Sequence, residues 1–473
     1  MITIELLPDE ALLAIFDFCL DEDALEKKDV EAWQSLVHVC RQWRNVVFGS
    51  PRRLNLRLVC RAATPVGDSL DVWPPLPLVV RGEWLSDSHV DNIITVLEHS
   101  NRVCQIILYD VALQLERVVA TMQESFPELT HLVLDSYYRM TIALPDSFLG
   151  GSAPSLRKLR LYGVPFPRLL NLLLSATHLV DLQLYRISHS GNLSPDALVT
   201  ALSTLTSLRL LVLKLRSAKS CPNQASRRPP ATRSLLPVLN ELRFEGVSEY
   251  LEDLVARINA PRMNDLVVFF DQDVLLNTPQ FTQFVGRTFT LEALEKAHVV
   301  FQFDSAAVKL SSETSGYGEL KVKFLCRELD RQVSSLKQFC TSCLSPLSMS
   351  EDLHISYPNI DLRPDLEDYV ENIPWLNVLQ PFPAVKNLYL CHDIAPHIGF
   401  ALQEFVGGKA REVLPVVQNI FLEGLQPQGS VPEGIEEFIA ARRFSGHPVT
   451  VSTIPLSRDL TQLMRGWVSD FDH

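Results

Sequence analysis

The sequence predicts an α/β fold: a helical bundle over residues 1–55, then a solenoid of strand-and-turn units over 56–450 that builds a curved parallel sheet. Three observations carry that expectation. A phrase of the form Leu-x-x-Leu-x-Leu recurs, as VCQIIL at 103, LTHLVL at 129, LRKLRL at 156, LVDLQL at 179, LRLLVL at 208, LNELRF at 239 and, more weakly, MNDLVV at 263. The starts lie 26, 27, 23, 29, 31 and 24 residues apart, and the phrase returns as VKNLYL at 385 and VQNIFL at 417, which is the signature of a stacked repeat. The first fifty residues lack the phrase and carry two amphipathic helical stripes instead.

The first stripe places apolar side chains at 12, 15, 16, 19 and 20. Pro8 opens it, and Asp9 and Glu10 occupy the first turn, where the helix dipole favours acids. The second stripe is Trp33, Leu36, Val37, Cys40 and Val47, separated from the first by the acidic, lysine-containing DEDALEKKDVEA. Helices this short do not persist alone in water. So small a bundle has little core of its own, and its spare apolar surface is expected to belong to a partner. Trp33 and Trp43 read as bundle core, and His38 as a bundle-surface residue.

In each phrase the fourth and sixth residues point into a shared core and the third and fifth point away, because strand side chains alternate. The stretches PFPRLLNLLLSATH (165–178) and SPDALVTALSTLTS (194–207) are patterned to return as helices. The second has Ser194 as N-cap and Pro195 at the first helical position. No unit buries its apolar face alone, which makes this a leucine-rich-repeat solenoid. The place where many such repeats carry an Asn or Cys ladder holds Val164, Ile187, Val247 and Leu425, so the turns are expected to vary. Between 270 and 350 the phrase fades. There HVVFQF (298–303), AAVKLS (306–311) and LKVKFLC (320–326) read as plainer alternating strands in a degenerate part of the same sheet. Residues 217–233 read as a disordered loop, and 451–473 as a C-terminal tail or cap with Trp467 and Phe471 docking on the last repeat.

The bulk numbers narrow the function classes. A formal charge of −13 over 473 residues argues against nucleic-acid binding, which needs clustered Lys and Arg. Nine scattered cysteines, an odd count, read as reduced core thiols. The N-terminus has no signal-peptide pattern, and the longest charge-free apolar run, LLNLLLSATHLV at 169–180, is too short to span a bilayer. A cytoplasmic or nuclear protein without membrane association is expected. No Gly-rich phosphate loop, His-Glu-x-x-His or Gly-x-Ser-x-Gly occurs, so neither an enzyme nor a bound cofactor is expected. Cys340 and Cys343 read as ordinary thiols, since a zinc site needs further ligands. Asp271 and Asp273, and Asp365, Glu367, Asp368 and Glu371, read as solvated carboxylates.

LLPDEALLAIFDFCL followed by LVHVCRQWRNVV resembles an F-box. That family pattern runs Leu-Pro, an acidic residue, an alternating apolar helix, then Val-Cys-basic-x-Trp. Leu7, Pro8, Glu10, Leu12, Ile15, Phe16, Leu20, Leu36, Val39, Cys40, Arg41 and Trp43 fall on it. The linker between the halves is longer than usual, which offsets the middle helix. With its repeats, the chain is similar to an expanded family of F-box-like proteins in mushroom-forming fungi. The resemblance implies a non-catalytic substrate receptor of a ubiquitin ligase. It would dock a Skp-family adaptor and cullin core through Leu7, Pro8, Glu10, Leu12, Ile15, Phe16, Leu20, Val39, Cys40 and Trp43, and hold an unknown protein target on the repeats. The alternative is a leucine-rich-repeat interaction scaffold without ligase association. Target contacts are expected on the outward strand positions: His131, Lys158, Arg160, Asp181, Gln183, Glu241 and Arg243, continuing through Asn387, Tyr389, Asn419 and Phe421. Lys158 and Arg160 form a local basic spot suited to a phosphate or carboxylate. An ordinary solvated face is the alternative there.

Overall fold

The computed structural model describes residues 7–19, 32–63, 70, 73–83, 86–109, 114–136, 143–187, 193–215, 232–271, 278–288, 295–302, 304–312, 318–343, 350–357, 373–403, 413–424 and 430–455. The chain divides into two compact units, residues 1–208 and 209–473. Both are α/β with mostly parallel sheet structure.

Unit 1 opens with three helices, α1 (Asp9–Cys19), α2 (Ala32–Val37) and α3 (Arg41–Gly49). Six strands follow, β1 (Leu58–Arg61), β2 (Leu78–Glu83), β3 (Val103–Tyr109), β4 (His131–Asp135), β5 (Lys158–Tyr162) and β6 (Asp181–Ile187), neighbours in chain order. Every pairing from β1 to β6 is parallel, and β3 to β6 stay in register, with Leu132, Leu159 and Leu182 abreast. Helices return the chain between strands. Pro195–Leu202 begins as expected, with the Ser194 hydroxyl accepting from the Ala197 amide at 3.3 Å. Val164 and Ile187 are buried here, as is Val247 in the second unit, so apolar side chains occupy positions where other repeats carry an amide ladder. Gly163 follows β5 at φ 67, and a Cβ there would lie 2.5 Å from the Ser136 carbonyl oxygen. Only glycine fits that turn.

Unit 2 carries β7 (Leu210–Leu215), a short strand β8 (Ser234–Leu235), β9 (Glu241–Gly246), β10 (Ile258–Asn259), β11 (Asp265–Phe270), β12 (Lys296–Gln302), β13 (Ser305–Ser311), β14 (Glu319–Leu325), β15 (Asp352–Ser356), β16 (Asn387–Cys391), β17 (Asn419–Glu423) and β18 (Thr450–Ile454). β8 and β10 pair apart. The other ten lie in the order β7-β9-β11-β14-β13-β12-β15-β16-β17-β18. Two expectations need correction here. The region where the repeat phrase fades is part of the unit's sheet, yet β12–β13 and β13–β14 pair antiparallel. Residues 303–304 between β12 and β13 leave no room for a parallel crossover, which takes a dozen residues or more. The C-terminal tail also begins later than expected, because β18 pairs in parallel with β17 through Ile454. Its predicted docking residues Trp467 and Phe471, the loop 217–231 and Leu425 lie outside the described residues.

The core is the row of phrase leucines. The fourth- and sixth-place residues, from Ile106 and Leu108 to Ile420 and Leu422, are all fully buried, with Phe244 at 1% exposure the largest value. Each contributes about 2 kcal/mol of hydrophobic stabilisation.

Candidate functional site

The phrase Cys40-Arg41-Gln42-Trp43-Arg44 turns out to fasten the bundle. Cys40 is the N-cap of α3, its Sγ accepting from the Trp43 amide at 3.5 Å. The Trp43 ring meets Phe16 edge-on at 4.9 Å, Arg44 Nε donates to the Val37 carbonyl at the end of α2 (3.0 Å), and Gln42 Nε2 donates to the Leu7 carbonyl (3.3 Å). Leu12 and Phe16 are fully buried. Leu12 and Phe16 thus close the bundle core, and Cys40 and Trp43, both half-buried, brace it. Pro8, Glu10, Ile15 and Val39 are exposed, Leu7 is half-buried, and Leu20 lies outside the described residues. Phe18, which the sequence pattern did not single out, is 89% exposed, with Ile15 at 43% and Val39 at 55%. Ile15 and Phe18 are one helical turn apart and share a face.

The bundle is fastened to the chain beyond residue 55. Trp33 Nε1 donates to the Arg57 carbonyl at 3.0 Å, and Trp33 and Phe48 pack edge-on against Trp73 at 5.1 and 6.3 Å. An aromatic cluster thus joins the helices to the chain entering the first strands.

The outward face of β2 to β5, with Asn55 and Arg57 just ahead of β1, forms an open groove of about 820 Å³, lined by Arg57, Arg81, Tyr109, His131, Arg157, Lys158 and Arg160 among others. Asn55, at φ 47, turns the chain into β1, and its amide oxygen accepts from Arg57 Nη2 at 3.0 Å. The expected basic spot has different occupants from those the strand pattern proposed. Arg160 Nη2 sits 3.0 Å from Asp135, whose side chain is 2% exposed, and its guanidinium lies over the Tyr185 ring at 5.1 Å. Lys158 stands 3.6 Å from Asp181. Burial pushes the Asp135 carboxyl up, and Arg160 pulls it partly back. Both expected cations are thus already engaged. Arg157, at the mouth of β5, is exposed and has no acid partner among the described residues. Burial also pushes the Tyr109 phenol up, keeping it a neutral donor.

The other expected target residues are mostly engaged with one another. Gln183 is 8% exposed, donating to Asp181 at 2.9 Å and accepting from the Tyr185 hydroxyl at 3.0 Å. Arg243 pairs with Glu241 on its own strand. In unit 2 Asn387 donates to Asp352 (2.7 Å), Asn419 to Asn387 (2.7 Å) and Thr450 to Asn419 (2.6 Å). Two places along the same strands, His298, His354, Tyr389 and Phe421 stack ring on ring at 4.3, 3.9 and 4.6 Å. Burial lowers His298 to a pKa of about 2, with His354 adding to the effect. Glu423, 2% exposed at its side chain, places Oε1 3.8 Å from His354 Nδ1.

Cys340 is buried on the helix Leu329–Cys343. Asp271 is half-buried, and burial pushes its carboxyl up. Asp273 and the acidic run 365–371 fall outside the described residues. Among the described residues no helix is long and apolar enough to cross a membrane.

No family model matches the chain, and no curated protein matches it.

Proposed function

We propose that this protein is a non-catalytic substrate receptor: its N-terminal helices dock a Skp-family adaptor of a cullin ubiquitin ligase, and its repeat face holds a protein target. The observation that carries the reading is the outer surface of α1 to α3. Their core is closed by Leu12, Phe16 and Val47, yet Ile15, Phe18 and Val39 remain exposed, on a bundle whose Leu7–Pro8 start resembles an F-box. Large exposed apolar side chains on a small bundle mark an interface. The receptor performs no chemistry. It raises the target's effective concentration near the ligase.

The test is binding of the full chain to a purified Skp-family adaptor. Wild-type protein should bind, and the Phe18→Ala and Val39→Ala double variant should bind more weakly by about 2 kcal/mol, the scale of interface hot spots. Leu7→Ala with Pro8→Ala should weaken it similarly. No binding by the wild type removes the ligase reading and leaves an interaction scaffold.

A further inference from the structure

β18 ends the strand order of unit 2 and pairs only with β17 among the described residues. The Thr450 amide donates to the Gln418 carbonyl at 2.8 Å, and the Ile454 carbonyl accepts from the Gly424 amide at 3.1 Å. Thr450, Ser452 and Ile454 thus turn their backbone groups toward β17, and Val451 and Thr453, between them, turn theirs to the free edge. The register sets Val451 and Thr453 level with Ile420 and Leu422. Those two are fully buried, whereas Val451 is half-buried and Thr453 exposed. The strand is open at its edge and on its inward face.

Edge strands are normally guarded by charge, a bulge or proline. β1, which pairs only with β2, ends on Arg61 and follows Arg57. β18 has no such guard. Residues 447–455, HPVTVSTIP, hold no Lys, Arg, Asp or Glu in a chain of formal charge −13, and the register with β17 is unbroken. Pro448 and Pro455 lie outside the strand and only limit how far a pairing can run.

We propose that the free edge of β18 is a self-association surface, taken by β18 of a second copy of this chain, antiparallel across a two-fold axis at Ser452. On that axis Val451 stands opposite the partner's Thr453, and the two exchange amide-to-carbonyl bonds, which the symmetry repeats. The backbone groups that β17 leaves open are thereby answered. No like charges meet, and β-branched side chains face one another across the pair. A neutral edge has nothing to attract a charged strand, whereas its own sequence complements itself. A strand of five residues makes a small contact, so the dimer is transient. It carries two copies of each binding surface, which turns a second contact with a repeated target into an intramolecular one. The inference does not rest on adaptor docking.

The experiment is sedimentation velocity on the full chain from about 1 to 100 μM, the range of a weak protein contact. The mass should rise toward that of a dimer. Ser452→Lys, at an exposed position, sets like charges on the axis. It should weaken self-association at least about tenfold with an unchanged melting temperature. Val451→Pro removes an amide that faces away from β17, where an edge strand tolerates proline, and should weaken it as much. Hydrogen exchange at the Val451 and Thr453 amides should slow as the protein concentration rises. A monomer throughout the range, or a dimer indifferent to Ser452→Lys, overturns the proposal. Growth beyond a dimer overturns it in favour of head-to-tail pairing, which leaves open chains. Slow exchange at both amides at every concentration overturns it by assigning the edge to another segment of the same chain.

Discussion

The outward face of β2 to β6 in unit 1 and that of β15 to β18 in unit 2 stand on the same strand framework and do opposite things. In unit 2, parallel registry sets like beside like. Asp352, Asn387, Asn419 and Thr450 form one hydrogen-bonded row, and His354, Tyr389 and Phe421 a stacked one. In unit 1 the equivalent rows mix types: Gln105, His131, Lys158 and Asp181 in one, and Arg81, Ile107, Val133, Arg160 and Gln183 in the other. Adjacent parallel strands hold registered residues about 4.8 Å apart. Amides and rings of one kind saturate each other at that spacing. Mixed rows instead pair cation with acid across strands, Lys158 with Asp181 and Arg160 with Asp135.

The comparison can be broken or sharpened by substitution. The framework beneath the two faces is expected to be equivalent, so Leu161→Ala and Leu390→Ala, both fully buried, should each cost about 2–5 kcal/mol in urea unfolding. A loss below about 1 kcal/mol for either would show that the two faces do not share a framework.

Arg160→Met should cost about 3 kcal/mol, because it strands the buried Asp135 carboxylate. Melting the variant across pH separates this from simple lost packing. The deficit should shrink at low pH, where Asp135 takes up a proton and no longer needs the cation. A pH-independent deficit breaks the account of this pair.

Asn387→Ala removes the middle of the unit 2 amide row and leaves the Asp352 and Asn419 ends without it. A cost of about 1–2 kcal/mol is expected, against no more than about 0.5 kcal/mol for the exposed Arg157→Ala in unit 1. Similar costs for both would erase the contrast between a hydrogen-bonded row and an exposed strand-end cation.

His298 gives the contrast a pH dependence. Its folded pKa of about 2 lies below the unfolded value near 6.5, so the unfolded chain binds the extra proton between those limits. The stability gained by keeping the ring neutral is complete above pH 6.5 and is lost as pH falls, at up to about 1.4 kcal/mol per pH unit. His298→Phe keeps an aromatic ring in the stack and should flatten the fall between pH 6.5 and 5. An unchanged slope in urea titrations would place the acid sensitivity elsewhere. The smallest effect is expected at Lys158→Gln. Its pair with Asp181 is partly exposed and 3.6 Å long, so the change should stay within about 0.5 kcal/mol.

The amino-acid sequence by itself determined the strands of the repeat phrase and the three plainer strands between 298 and 326, the inward faces of the phrase strands and the helix start at Ser194. These depend on local periodicity and capping, and the phrase leucines occupy the core as their positions require. Which outward residues remain available was decided by tertiary structure alone. Lys158 and Arg160 read as a basic spot because the strand pattern shows position and not neighbours. The acids that engage them sit on other strands, 23 residues away at Asp181 and 25 at Asp135. Arg57, Arg81 and Tyr109 escaped notice for the same reason. Arg57 and Arg81 precede the first copy of the phrase, and only strand pairing brings them beside Arg157. The antiparallel turn of β12 to β14 was equally hidden, since alternation reveals a strand but not its direction. In the bundle, Cys40 and Trp43 carry the sequence signature yet spend it inward, while the exposed Phe18 has no signature at all. A helical stripe tells which residues share a face. Which face is covered depends on where the next helix lies.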